Sequence, residues 1–103
     1  MEQINTEKFD ELIKGDKPVV CDFFATWCGP CKMLAPVMDE VSKDFAYKAV
    51  FVKVDIDENM ELARRYGIMS IPLVTVFKNG EEAAKSLGYT SKTETKEFLE
   101  KNL

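Results

Sequence analysis

The sequence predicts an α/β fold in which helices cover both faces of a central mixed β-sheet. Two short apolar runs, Val19–Phe24 and residues 49–54, are each followed by a longer pattern with helical periodicity. Crossovers of this length allow the two strands to pair in parallel. A third apolar run, residues 71–77, leads into Asn79-Gly80, the strongest short hairpin signal, so the next strand is expected to be antiparallel. We therefore expect one sheet of mixed direction with the hairpin at one edge.

Four helices are expected around this sheet. The first begins at Asn5 or Thr6, either of which can cap it, and Gly15 ends it. The second follows the first apolar run and carries an apolar stripe for about four turns. Pro36 lies within that stripe and is expected to kink the helix, because proline cannot donate a backbone hydrogen bond.

The two later helices have recognisable starts. Asp57 is expected to cap a helix that runs to about Arg65, where Gly67 follows. Ser91 and Glu94 fit a capping box at the start of the final helix. No repeat or linker interrupts the 103 residues, so we expect a single domain over residues 1–103.

Composition narrows the functional classes. The net charge is −4 and the chain has no histidine, so it offers little basic surface for nucleic acid. No apolar stretch approaches the roughly 20 residues of a membrane span. The first residues have neither a basic segment nor an apolar one, so no secretory signal is visible and a cytoplasmic location is expected. Three cysteines are too few for a disulfide scaffold.

The pair Cys28 and Cys31 lies between the first apolar run and the second helix, separated by Gly29 and Pro30. Unpaired N–H groups and the positive end of the helix dipole stabilise a thiolate at Cys28. Cys28 is therefore predicted to be the exposed residue that attacks a substrate disulfide, and Cys31 to be the sheltered residue that resolves the mixed disulfide. Pro30 suits the first turn of a helix, and Gly29 leaves room for a substrate backbone.

Structural thiols and half of a zinc site are the alternatives for this pair. Zinc takes four ligands. The sequence offers no histidine and no second Cys-x-x-Cys pair, and its remaining cysteine, Cys21, lies inside an apolar run. A redox pair is therefore favoured over a metal site. Cys21 itself is expected to be a small buried hydrophobic residue.

Residues 27–32, Trp-Cys-Gly-Pro-Cys-Lys, resemble the active-site motif of the thioredoxin family, and the resemblance covers essentially the whole chain. Supporting positions occur in the same order and spacing. They are Asp22, Pro36, Lys53, Ile71, Pro72, Gly80 and Gly88. The resemblance implies the thioredoxin fold, with about five strands and about four helices, and it adds a short strand near residues 3–5.

Asp22 is an anomaly in the sequence, because it places a carboxyl inside a strand that is expected to be buried. Burial raises the pKa of such a group. The resemblance implies that Asp22 acts through a water as acid and base for Cys31, and that Lys53 on the neighbouring strand tunes it. The alternatives are a carboxyl satisfied by the backbone or directed outward, and, for Lys53, a solvated edge lysine.

The resemblance also implies a substrate-binding surface beside the cysteines. Its members are Trp27, Ser70, Ile71, Pro72 and Gly88. Pro72 is expected to follow a cis peptide bond, with the backbone of Ser70 or Ile71 pairing with a substrate strand. An ordinary proline at a strand start is the alternative. An exposed apolar rim around Cys28 is expected from Trp27, Met69, Ile71, Pro72 and Gly88. The alternative for Met69 is that it fills the core.

Three positions depart from the commonest family pattern. Leu73 stands where threonine is usual, Phe24 where many members have tryptophan, and Ser70 where glycine is common. The changes at Leu73 and Ser70 are expected to affect contacts with substrate. The change at Phe24 is expected to affect packing only.

The predicted function is that of a general protein-disulfide reductase. The resemblance implies a thioredoxin reductase and disulfide-containing target proteins as partners, a monomer, and no cofactor beyond the redox-active pair Cys28 and Cys31. The nearest alternative is a thiol oxidase or disulfide isomerase of the same fold. The dipeptide Gly29-Pro30 between the cysteines argues against an oxidase or isomerase. A non-redox thioredoxin-like binding subunit is the alternative of a different class.

Overall fold

A computed structural model describes residues 1–103 and contains five strands and four helices. The strands are β1 (Glu2–Gln3), β2 (Val19–Phe24), β3 (Val50–Asp55), β4 (Leu73–Lys78) and β5 (Glu81–Leu87). The helices are α1 (Thr6–Leu12), α2 (Gly29–Asp44), α3 (Met60–Arg65) and α4 (Lys92–Asn102). The predicted fold class is confirmed. No helix is both long and apolar enough to cross a membrane.

The five strands form one sheet in the order β1-β3-β2-β4-β5. β3 pairs in parallel with both β1 and β2, whereas β4 pairs antiparallel with β2 and with β5. β2 is therefore central and runs opposite to β4. The carboxyl end of β2 and the amino end of β4 consequently meet at one edge of the sheet, and β3 ends at that edge as well. The functional residues are gathered there.

Two apolar clusters lie on opposite faces of the sheet, because successive residues of each strand point to alternate faces. On one face, Phe9 of α1 and Leu62 of α3 pack against Val19, Cys21 and Phe23 of β2 and further strand residues. On the other face, the apolar stripe of α2 and Leu99 of α4 pack against Val20 of β2, with residues of β4. Helices thus cover both faces, as predicted.

Several predicted boundaries differ from the structure. The third apolar run enters the sheet at Leu73 rather than at residue 71, since Pro72 has no N–H to donate to a ladder. The extra strand expected near residues 3–5 is Glu2–Gln3, because Asn5 is already the cap of α1. Pro36 lies inside α2, which continues from Gly29 to Asp44 around it, and the kink expected there stays a prediction.

The predicted cap of α3 is wrong. The helix starts at Met60 with Asn59 as its N-cap, and no side chain donates or accepts a capping bond there. Asp57 lies three residues before the helix, and its carboxylate accepts a hydrogen bond from the indole of Trp27. Asn59 instead ties α1 to this loop, since its amide oxygen accepts from the backbone N–H and the hydroxyl of Thr6.

Candidate active site

Cys28 and Cys31 form a disulfide at the start of α2, with their Cα atoms 5.3 Å apart. Cys28 is the N-cap residue of the helix, and Gly29 and Pro30 are its first helical residues. The Cys28 Sγ accepts a hydrogen bond from the backbone N–H of Cys31 at 3.2 Å. A sulfur thus occupies the place where a serine or aspartate oxygen usually satisfies the free N–H groups of a helix start. A thiolate at Cys28 would be stabilised in the same way.

Neither cysteine is exposed in the disulfide state. Cys28 is 5% exposed and Cys31 is 4% exposed. The expectation that Cys28 is exposed is therefore wrong for the oxidised pair, whereas the expectation that Cys31 is sheltered is confirmed. The reason is packing, because Ile71 covers the pair from one side and its carbonyl oxygen lies 3.9 Å from the Cys28 Sγ. Gly29 has open space above its Cα and leaves the site accessible from that direction.

Asp22 is buried in the middle of β2 at 3% exposure. Its Oδ1 atom has no hydrogen-bond partner, so the alternatives of a satisfied carboxyl and of an outward one are wrong. Burial raises the pKa of Asp22 from 3.8 to about 7, the positive charge of Lys53 lowers it, and the negative charge of Asp39 raises it. The desolvation of the charged form outweighs the attraction of Lys53. Asp22 therefore gains and loses a proton near neutral pH.

A cleft of about 260 Å³ joins Asp22 to the cysteines. Asp22 and Cys31 both line it, together with Lys32, Ala35 and other residues of β2, β3 and the start of α2. A volume of this size holds several water molecules, each of which occupies about 30 Å³ in the liquid. The cleft therefore has room for water beside both Asp22 and Cys31.

Lys53 borders the same cleft and lies beside Asp22 in the register of β2 and β3. The two side chains make no ion pair, and the Lys53 ammonium instead lies 5.5 Å from the ring centroid of Phe24. Lys53 is half-buried, so the alternative of a solvated edge lysine does not describe it. Its charge acts on Asp22 across the cleft.

Trp27 is exposed beside the disulfide and is oriented by two acidic residues at the carboxyl end of β3. Its Nε1 donates to the Asp57 Oδ2 at 2.7 Å, and the Asp57 N–H donates to the Asp55 Oδ1 at 2.9 Å. Sequence reasoning missed this pair and assigned Asp57 to a helix cap. The available signal was the parallel pairing of β2 and β3, whose carboxyl ends must lie side by side.

The peptide bond between Ile71 and Pro72 is cis, as predicted. Pro72 is buried and accepts a hydrogen bond from the N–H of Gly88 at 2.8 Å. Gly88 takes a φ of 88°, a region that favours glycine. Pro72 therefore does not belong to the exposed rim, and the correction follows from its place at the entry to β4.

The rim expected around Cys28 is otherwise only partly exposed. Ile71 and Gly88 are half-buried, and Ser70 beside them is exposed. Met69 is 94% exposed, so it does not fill the core. Leu73 is buried within the apolar cluster of α1 and α3, and its effect on substrate contacts stays a prediction.

The comparisons with known proteins agree with this geometry. The sequence model of the Thioredoxin family matches residues 1–101. A thioredoxin of Rickettsia bellii is 45% identical over 94 residues, which cover 91% of this chain and 90% of that protein. A thioredoxin of Staphylococcus haemolyticus is 45% identical over 101 residues, which cover 98% and 96%. The chain belongs to the thioredoxin family.

A solved structure of Plasmodium falciparum thioredoxin supports the same assignment. It matches with a TM-score of 0.92 at 38% identity and covers 100% of both chains. As a member of the thioredoxin family, the chain is a thiol–disulfide oxidoreductase whose function is protein-disulfide reduction by exchange at Cys28 and Cys31. The predicted family, fold and enzyme class are confirmed.

Cys21 stands apart from the thioredoxin-type pair. It is fully buried in the cluster that contains Phe9 and Leu62. Burial raises the pKa of its thiol well above the ordinary value, and the neighbouring Asp22 raises it further. The expectation of a small buried hydrophobic residue is confirmed. No group of three or more histidine, cysteine or acidic side chains is arranged to hold a metal ion.

Proposed function

We propose that the chain passes electrons from a thioredoxin reductase to disulfides of target proteins, with Cys28 as the attacking residue and Cys31 as the resolving one. The observation that carries the proposal is the arrangement at the start of α2. Cys28 is the helix cap, and Cys31 shares a cleft with an unpaired buried carboxyl. The two sulfurs therefore have different surroundings and different tasks.

The first step is attack on the target. In the reduced protein, the Cys28 thiolate attacks one sulfur of the target disulfide, and the other target sulfur leaves as a thiolate. A bond forms between Cys28 and the target, and the target disulfide breaks. The N–H of Cys31, which points at the Cys28 Sγ, stabilises the attacking anion.

The second step is resolution by Cys31. Its thiol loses a proton, and its thiolate attacks the Cys28 Sγ, which closes the protein disulfide and releases the second target sulfur. Asp22 takes this proton through water in the shared cleft. A carboxyl with a pKa of about 7 is suited to this task, because it can both accept and return a proton near neutral pH. Lys53 tunes that pKa by favouring the charged carboxylate.

Target polypeptides dock beside the disulfide. The backbone N–H groups of Ser70 and Ile71 donate no hydrogen bond within the chain, so they are free to pair with an extended target segment. Trp27 and Gly88 border the same site, and the open space over Gly29 admits a target backbone. Contacts through the backbone give affinity with little dependence on target sequence.

The remaining assignments complete this proposal. The redox-active disulfide supplies the chemistry without a further cofactor, since two sulfurs carry both electrons. Residues 1–103 act as a single domain and as a monomer in the cytoplasm. The reductase and the target proteins are its partners. The mildly acidic surface, with a net charge of −4, suits neither nucleic acid nor an anionic membrane.

Reduction of insulin tests the proposal. Wild-type protein is expected to reduce insulin in the presence of dithiothreitol, whereas Cys28→Ser and Cys31→Ser are not. Cys31→Ser is expected to retain a mixed disulfide with insulin, because the resolving thiol is missing, and Cys28→Ser is not expected to form one. Cys21→Ser is the matched control and should retain activity, since Cys21 is buried away from the pair.

Two results would contradict the assignment. An inactive wild type would remove the reductase function. A mixed disulfide trapped by Cys28→Ser, and not by Cys31→Ser, would exchange the two roles. Equilibration with glutathione buffers then gives the direction of transfer, since a reductase must hold its disulfide at a more negative potential than an oxidase does.

A further inference from the structure

A groove of about 550 Å³ lies beside the active site and is not used by the mechanism above. Ile56 forms part of its wall and also packs against Cys28, Cys31 and Ala25. Asp57, which holds the indole of Trp27, lines it as well. The groove is therefore continuous with the site to which target proteins come.

Two methionines line this groove and are open to solvent. Met69 is 94% exposed and Met60 is 59% exposed. Met69 precedes Ile71 by two residues, so it stands next to the backbone that faces Cys28. Because the Met69 thioether is almost fully exposed, it contributes little to packing, and oxidants in solution reach it directly.

In the oxidised protein the reactive sulfurs are exposed thioethers, and Met60 and Met69 are the ones that line the groove. Cys28 and Cys31 are bonded to each other, and Cys21 is fully buried. Hydrogen peroxide can transfer one oxygen atom to a methionine sulfur. The O–O bond breaks, an S–O bond forms, the sulfur is oxidised by two electrons and the peroxide is reduced to water.

We propose that Met60 and Met69 are sites of methionine sulfoxide formation, through which peroxides weaken the docking of protein targets while the Cys28–Cys31 pair stays intact. The inference rests on the proposed function. A sulfoxide is polar and strongly hydrated, so it converts an apolar groove wall into one that resists desolvation. Small disulfides reach the cysteines without covering the groove, so the rate at which they are reduced does not change.

The test treats the oxidised protein with hydrogen peroxide, removes the excess with catalase and maps each methionine by peptide mass spectrometry. Met69 and Met60 are expected to react at least about tenfold faster than the fully buried Met38. The treated protein is then assayed with insulin and with the small disulfide hydroxyethyl disulfide. The KM for insulin is expected to rise about threefold or more, with an unchanged rate on the small disulfide.

Matched variants locate the effect. Met33 is 60% exposed on α2 and does not line the groove, so it controls for oxidation of an equally exposed methionine. Met33→Leu should keep the peroxide sensitivity of wild type. The double variant Met60→Leu/Met69→Leu should lose it when compared with its own untreated sample. Methionine sulfoxide reductases should restore the KM of treated wild type.

Four results would overturn the inference. Met60 and Met69 reacting no faster than Met38 would remove the modification site. An unchanged KM for insulin with sulfoxides at both positions would show that the modification does not affect docking. A rise in KM after peroxide treatment of the double variant that equals the wild-type rise would show the same. An untreated protein that is inactive on both disulfides would overturn the proposed function, and this inference with it, so the two failures are distinguishable.

Discussion

At the residue scale, burial of the Asp22 carboxyl is unfavourable for its charged form and raises its pKa to the neutral range. Its Oδ1 atom is buried without a partner, so the charged form loses solvation that no hydrogen bond replaces. Lys53 on β3 attracts the carboxylate and Asp39 on α2 repels it, and both effects are smaller than that of burial. The pKa of about 7 therefore reflects a lack of solvent more than a balance of charges.

Asp22→Asn is expected to stabilise the protein at high pH. The carboxyl ionises near pH 3.8 in the unfolded chain and near pH 7 in the folded one, so the folded state holds the proton more tightly between these values. Stability consequently falls as pH rises through this window, by up to about 4 kcal/mol above pH 7. The asparagine variant escapes this loss. Urea unfolding at pH 8 should give Asp22→Asn a much larger free energy of unfolding than wild type. At pH 4 the two proteins should be nearly equal.

Glu58→Gln is the matched control, because Glu58 is exposed and makes no hydrogen bond or ion pair. Its effect should be small at both pH values. An advantage of Asp22→Asn that is equal at pH 8 and pH 4 would contradict the raised pKa. Asp22→Asn should also remove the pH dependence of the resolving step, and an unchanged pH–rate profile would exclude Asp22 from the mechanism.

Asp57→Ala is expected to release the indole of Trp27. Trp27 is the single tryptophan of the chain, so fluorescence reports on this site alone. Quenching by acrylamide should increase, because the hydrogen bond from Nε1 no longer holds the ring. An exposed hydrogen bond contributes about 0.5 kcal/mol, so the KM for insulin should rise about twofold. Glu58→Ala is the control, and equal quenching in the two variants would exclude an orienting role for Asp57.

At the scale of elements, the two long helices show caps with different purposes. α4 starts with Ser91, whose hydroxyl accepts from the N–H of Glu94, while the Glu94 carboxylate accepts from the N–H of Ser91. The hydrogen bond from the Ser91 backbone lowers the pKa of Glu94. α2 starts instead with Cys28, whose sulfur must both cap the helix and react. The first cap serves stability alone, and the second serves chemistry.

Ser91→Ala is expected to destabilise the protein by about 1 kcal/mol, because the N–H of Glu94 loses its acceptor. For a chain of this size the melting temperature should fall by about 4–8 °C. Ser91→Thr keeps the hydroxyl and should recover most of the loss. A calorimetric scan that finds the alanine and threonine variants equally stable would show that the capping box does not contribute.

At the scale of the whole molecule, the sheet divides the interior into two cores and collects the site at one edge. β2 contributes to both cores through alternate residues. Because β4 runs opposite to β2, residues 71–72, which immediately precede β4, lie next to the cysteines that follow β2. Because β3 runs parallel to β2, Asp57 lies next to Trp27. Three segments distant in sequence thus meet at the disulfide.

The separation of the two cores predicts additive effects across the sheet. Val52→Ala lies in one core and Val76→Ala in the other, on strands that β2 separates. Each substitution removes two buried side-chain carbon atoms and should lower the free energy of unfolding by about 2 kcal/mol. The double variant should lose the sum of the two within about 0.5 kcal/mol, as judged by urea unfolding.

Two residues within one core provide the contrast. The rings of Phe9 and Phe77 pack edge to face with centroids 5.0 Å apart. Phe9→Leu and Phe77→Leu should therefore couple by about 0.5 kcal/mol or more in the double variant. Coupling across the sheet that equals the coupling within the core would contradict the division into two clusters.

Local chemistry made much of this protein predictable. Alternating and helical periodicities, the Asn79-Gly80 turn and the capping box at Ser91 each depend on residues a few positions apart. The motif of residues 27–32 depends on such neighbours as well, and the resemblance it carries implied both the reductase function and the cis bond before Pro72. Signals of this range are present in the sequence itself.

Other features depended on strand register and packing, which no local pattern contains. Asp57 has the sequence context of a helix cap. Only the parallel pairing of β2 with β3 brings it close enough to accept a hydrogen bond from Trp27. Cys28 was expected to be exposed, and only the packing of Ile71 against it shows otherwise.

The sequence by itself determined the type of each element, the family and the pair of sulfurs that react, because short-range patterns specify these. The tertiary structure alone decided that Asp22 lacks a partner, that it shares a cleft with Cys31 and that Met69 borders a groove beside the site. The physical reason is distance. Solvation and electrostatic coupling depend on which groups approach in space, and the sheet brings together residues separated by more than forty positions.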